Sequence, residues 1–69
     1  MSKWFEVAVT KYSNILVEVE DTGDEDFDYQ AAFDAVNNEY SPDETEILAQ
    51  VDEECLENYK QNADEILEL

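Results

Sequence analysis

The chain has 69 residues, with three Lys plus Arg against twenty Asp plus Glu, no histidine, one cysteine and a formal net charge of -17. A chain this short buries only about 60% of its unfolded surface, so it holds one thin core and neither a second domain nor a large substrate cavity. Without histidine there is no Ser-His-Asp or Cys-His catalysis and no His-containing zinc site; without arginine, three lysines cannot neutralise a run of phosphates, which argues against direct nucleic-acid binding.

High net charge suits a disordered chain, but one residue in four is Leu, Ile, Val or Phe, above the roughly 20% that marks disorder. Residues 1–69 are therefore read as one small acidic domain, with self-repulsion as a standing cost to its compact state. Cys55 has no disulfide partner and sits among Asp52, Glu53, Glu54 and Glu57, so it is expected as a small core residue rather than a nucleophile. No apolar run follows a basic N-terminus and none is long enough to span a bilayer, so a cytoplasmic location is expected.

Residues 3–10 alternate, with Phe5, Val7 and Val9 opposed to Trp4, Glu6, Ala8 and Thr10. Residues 15–20 repeat the pattern, Ile15, Val17 and Val19 against Leu16, Glu18 and Glu20. Period-2 alternation of β-branched residues around the turn-length Lys11-Tyr12-Ser13-Asn14 predicts an antiparallel hairpin, which needs a layer packed on its apolar face. Asp24 or Asp26 can cap a helix from Phe27 to about Asn38, whose apolar stripe is Tyr29, Ala32, Phe33, Val36 and Tyr40.

Ser41-Pro42-Asp43-Glu44 has the form of a capping box with proline at the first helical position. A helix running from there towards Leu67 places Leu48, Val51, Cys55, Tyr59 and Ile66 on one side and Glu46, Glu53, Glu57, Asp64 and Glu68 on the other. The competing parse makes 46–51 a third short strand and starts the helix at Asp52. Both give the same class, α+β, with the N-terminal antiparallel hairpin packed against two α-helices.

Candidate chemistry is thin. Asp24-x-Asp26-x-Asp28 opens like a calcium loop, but Tyr29 stands where the turn glycine belongs and Ala35 where the bidentate Glu belongs, so no metal or other cofactor is expected. A two-carboxylate hydrolase needs an acid and a base in different environments within a cleft, which nothing in the sequence supplies. Phe5, Phe33 and Tyr59 read as core, whereas Trp4, opposite Phe5, reads as partly exposed and, with Tyr12, as an interface anchor.

The ordering of the acids is more informative. Asp21, Asp24, Glu25, Asp26 and Asp28 crowd one segment, and the projected line Glu46, Glu53, Glu57, Asp64, Glu68 spaces charges roughly 6–10 Å apart on a helix, the order of phosphate spacing. Like-charge pairs such as Glu53/Glu57 and Asp64/Glu68 oppose helix formation, so stability alone does not select them.

In this combination of size, acidity, absent catalytic set and clustered acids (Asp24-Glu25-Asp26 and Glu53/Glu57), the chain resembles the small acidic DNA-mimic inhibitors of bacteriophages, most of all the anti-CRISPR proteins. The resemblance implies a non-enzymatic inhibitor in the cytoplasm of a bacterial host. Its partner would be a basic DNA-binding protein or a subunit of a CRISPR surveillance complex, bound by a monomer or small homo-oligomer. An acidic adaptor that binds through the hairpin edge is the alternative.

Overall fold

Alternation of β-branched and polar residues builds the first two strands. In the computed structural model, which describes residues 1–69, β1 spans Ser2–Val9 and β2 spans Ile15–Glu20. They pair antiparallel with Phe5 opposite Val17 and Val7 opposite Ile15. Helix α1 spans Glu25–Tyr40, and of the two candidate caps it is Asp24 whose side chain accepts from the Phe27 amide, at 3.3 Å. The architecture is α+β: a sheet of strand order β3-β1-β2-β4 and two helices.

The long helix projected from Ser41 towards Leu67 is not formed. Strand β3 occupies Thr45–Val51, a single 3-10 turn Glu53–Cys55 leads into α2 at Leu56–Asn62, and β4 spans Glu65–Leu67. Ser41 closes α1 instead of opening a new helix. It adopts the left-handed conformation (φ 45°, ψ 51°) and donates its amide to the Asn37 carbonyl, and Pro42 follows where a helix has ended. A helix over 45–51 would have left one edge of β1 bare. Strand β3 covers it, from Val9 opposite Thr45 to Trp4 opposite Val51, with an irregularity at Glu6/Val7 that leaves Leu48 as the extra residue. A serine held at positive φ costs about 1–2 kcal/mol that glycine does not. Ser41→Gly is accordingly expected to raise the melting temperature by several degrees, checked by thermal unfolding.

Strands β2, β3 and β4 all run opposite to β1. The connection from β2 to β3 crosses β1 in one direction and carries α1; the connection from β3 to β4 returns across β1 and β2 and carries α2. Crossovers of one hand that travel in opposite directions must lie on opposite faces of the sheet. So two small cores form instead of one. On the α1 face Phe5, Val7, Ile15, Val17 and Val19 pack with Ala32 and Val36; on the α2 face Trp4, Leu16 and Val51 pack with Leu56, Tyr59 and Ala63. Each fully buried Phe, Ile or Val contributes about 1.5–3 kcal/mol.

This second face corrects several expectations. Trp4 is only 8% exposed, because α2 covers the side of the sheet that was expected to be open. Phe5 is core as expected, Tyr59 is half-buried, and Phe33 is exposed because α1 turns Asp28, Ala32 and Val36 inwards instead. Cys55 is exposed in the 3-10 turn, outside both clusters. No helix is long and apolar enough to cross a membrane.

Candidate functional site at the acidic end of the sheet

Strand direction decides where the acids emerge. Ser2 lies opposite Glu20 and Trp4 opposite Val51, so the segments that leave β2 and β3 exit at the same end of the sheet, on either side of β1. The first carries Glu20, Asp21, Asp24, Glu25 and Asp26; the second carries Asp52, Glu53 and Glu54; all are exposed. Two inter-strand spacings separate the exits, about 10 Å. Glu68 joins this end after β4: the Leu69 amide donates to Glu18 Oε1 at 3.2 Å, and Glu18 lies opposite Trp4. The Ser2 hydroxyl (2.6 Å) and then the Leu69 amide hold the Glu18 carboxyl below the usual range, which fixes this corner.

The two acidic segments differ in what they do for the fold. Asp24, Glu25 and Asp26 begin α1, where a cap and negative charge favour the helix N-terminus. Asp52, Glu53 and Glu54 have no such use, since their turn has no side-chain cap bond and no cation pairs with them. Of the three lysines only Lys3 pairs with an acid of this end, Asp21, and its closer partner is the buried Asp28. Lys3 is buried against Asp28 at 2.7 Å and Asp21 at 3.4 Å, Lys60 lies 4.8 Å over the Trp4 ring, and Lys11 is in the turn at the opposite end. At the acidic end, Glu20 has the chain's N-terminal ammonium at 3.7 Å, both groups largely exposed.

The residues singled out from sequence are dispersed accordingly. Asp21, Asp24, Glu25 and Asp26 gather at this end with Glu53 and Glu68, whereas Glu57 is exposed on α2. Glu46 sits on β3 opposite Ala8, towards the other end, and Asp64 is held there by the Asn14 amide (3.2 Å) and the Ser13 hydroxyl (3.3 Å). The projected line of five acids on one helix therefore does not exist, because the segment that would have aligned them forms four elements: β3, the 3-10 turn, α2 and β4.

Asp28 is fully buried and is no contact residue: Thr22 donates to Oδ1 through its amide (3.3 Å) and hydroxyl (2.7 Å), and Oδ2 faces only the Lys3 ammonium. That ammonium, and next the Thr22 bonds, hold its carboxyl below the usual range against the opposing effect of burial. The expected anchors are engaged as well. Trp4 is under Lys60 and Tyr12 stacks edge-on with Tyr40 at 5.6 Å. The sequence reading passed over Asp52 and Glu54 as contact residues; only the strand assignment of 45–51 brings them beside the first acidic segment.

What this arrangement can do is attract cations on a broad front, from two acidic connections about 10 Å apart, neutralised only at Glu20 by the N-terminal ammonium and at Asp21 by Lys3. Comparison with protein-family models, curated proteins and solved structures finds no match.

Proposed function

We propose that this chain is a non-enzymatic, DNA-mimicking inhibitor of the anti-CRISPR kind, which occupies the basic nucleic-acid-binding surface of a bacterial host's defence complex and keeps DNA out. One observation carries the reading: the exposed acids of the β2–α1 and β3–α2 connections are gathered at one end of the sheet, where Lys3 reaches only Asp21 among them and no lysine pairs with Asp24, Glu25, Asp26, Asp52, Glu53 or Glu54. Carboxylates fixed on two strand exits present negative charge across about 10 Å, within the range of groove widths over which duplex phosphates are spread. Rim charges of this sort steer a partner's approach more than they hold it, and salt screens them.

The alternative, strand addition at the hairpin, has less support. Both hairpin edges carry a neighbour, β1 paired by β3 along its length and β2 by β4 from Ile15 to Val17. The remaining long edge is β3, where the irregularity at Leu48 and the charge of Glu46 both discourage pairing.

The test is capture of partners from a bacterial lysate on the immobilised protein, followed by competition. Duplex DNA is expected to displace the captured partner, and its affinity is expected to fall steeply between low and high salt. A partner that binds DNA and this chain simultaneously would end the proposal.

A further inference from the structure

We infer that the cleft between α2 and the sheet receives an arginine side chain from the protein partner, with Glu6 as its anion. This rests on the reading that the partner is a basic protein, but it concerns a different surface. The cleft has a volume of about 260 Å³ and lies on the α2 face, lined by Glu6, Asn14 and Leu16 from the sheet side and Asn58, Tyr59 and Asn62 from α2. That is below the roughly 300–1,000 Å³ of pockets for drug-sized ligands and suits one inserted side chain.

Glu6 is out of place for a purely structural residue. It sits half-buried in the middle of β1, the strand paired on both sides, on the same face as Trp4 and opposite Leu16. It belongs to no ion pair, since Lys3 serves Asp28 and Lys60 covers Trp4. With its amide nitrogen turned towards acceptors, Asn14 donates to Glu6 Oε2 at 3.2 Å and to the Ser13 carbonyl at 3.0 Å. One carboxylate in a cleft also lined by Asn58, Asn62, Ile15 and Leu16 offers acceptors beside an apolar surface.

A guanidinium matches that set better than an ammonium, because its five donors lie in a planar fork that engages a carboxylate two at a time while its stem packs on apolar surface. A second copy of this chain is a poor occupant: it has no arginine and repels its twin with a charge of -17.

The test is an amide and side-chain resonance titration of the intact protein with hexa-arginine, and with hexa-lysine as an equal-charge control. Hexa-arginine is expected to shift Asn14, Asn58 and Asn62 saturably, and hexa-lysine only the acidic end. Glu6→Gln, nearly isosteric, is expected to weaken the affinity read at those three residues about tenfold while leaving shifts at Asp24–Asp26 and Asp52–Glu54 intact. Asn58→Ala, an exposed substitution on α2, is expected to weaken it to a smaller degree.

Equal filling of the cleft by hexa-lysine, or unchanged shifts in both variants, would overturn the assignment. So would the absence of any saturable shift at Asn14, Asn58 and Asn62 with hexa-arginine. Absence of any shift at the acidic end would instead count against the DNA-mimic reading, so the two failures are read at different residues.

Discussion

The triple variant D52K/E53K/E54K is expected to associate with the captured partner roughly tenfold to hundredfold more slowly at low salt, with little change in how fast it leaves. These carboxylates are exposed, make no cap bond and pair with no cation, so the fold does not depend on them. Reversal removes one of the two acidic segments and puts three lysines beside the other. Long-range attraction then falls before any contact is made, which is why the loss should appear in the association rate. In about 1 M salt the Debye length is only about 3 Å, so the difference between variant and parent should nearly vanish.

A charge-matched control separates a directed acidic surface from plain acidity. E39K/D43K/E44K makes the same change at the opposite end of the sheet, where α1 ends and β3 begins. If net charge alone draws the partner, the two triple variants slow association equally. If the end formed by the β2–α1 and β3–α2 connections is the docking surface, the control stays within about twofold of the parent, since its charges lie some 20 Å away along the strands, beyond the screening length at physiological salt. Surface plasmon resonance at several salt concentrations reads both outcomes, with circular dichroism confirming the fold.

Local patterning made the hairpin and α1 legible. Phe5, Val7, Ile15 and Val17 have no ambiguity of period, and Asp24 is placed where a cap is needed. In the C-terminal half the continuous helix, one of the two readings open there, is not formed and the strand over 46–51 is, for an identifiable reason. Ser41-Pro42-Asp43-Glu44 carries every local mark of a helix start, yet Ser41 is consumed as the left-handed end of α1, and the Glu44 amide goes to the Thr10 hydroxyl at 3.2 Å. The deciding contribution is non-local: the alternation of Ile47, Ala49 and Val51 offers a strand as one of two readings, and pairing Thr45–Val51 along β1, which satisfies a whole strand edge, selects it.

The site inherited that ambiguity. On the continuous-helix reading, Asp52 and Glu54 have no reason to lie beside Asp24–Asp26, and Glu6 has no α2 to face. Asp28 was misassigned for a different reason: in a run of seven acids out of eleven residues, nothing local distinguishes the one that turns inwards.

Asp28 is also where a single substitution is expected to damage the fold most. Asp28→Asn or Asp28→Ala leaves the Lys3 ammonium, its side chain 10% exposed, without its main counter-charge beneath α1, and Asp28→Ala also frees the two Thr22 donors that fix the loop into the helix. In a domain with so thin a core, the variant is expected to be largely unfolded at physiological temperature. Lys3→Met strands the carboxylate and should do the same. The double variant K3M/D28L replaces both charges with apolar groups and should recover most of the stability, because a buried pair contributes less than breaking it costs. Asp43→Asn, an exposed residue with the same change in charge, controls for relief of self-repulsion.

The sign of the pH dependence follows from the pair. The Asp28 carboxyl is held below its usual value, so its contribution is present above the unfolded value of about 3.9 and is lost as pH falls through the lower folded one. The Asp28 bond holds the Lys3 ammonium above its usual value, so that contribution is intact below about 10.4 and is lost as pH rises past it. The deficit of Asp28→Asn relative to the parent should therefore be flat from about pH 5 to 9 and shrink in acid. Urea unfolding at a series of pH values checks this, and coincident midpoints for parent and variant at neutral pH would remove the ion pair from the account of what anchors α1 to the sheet.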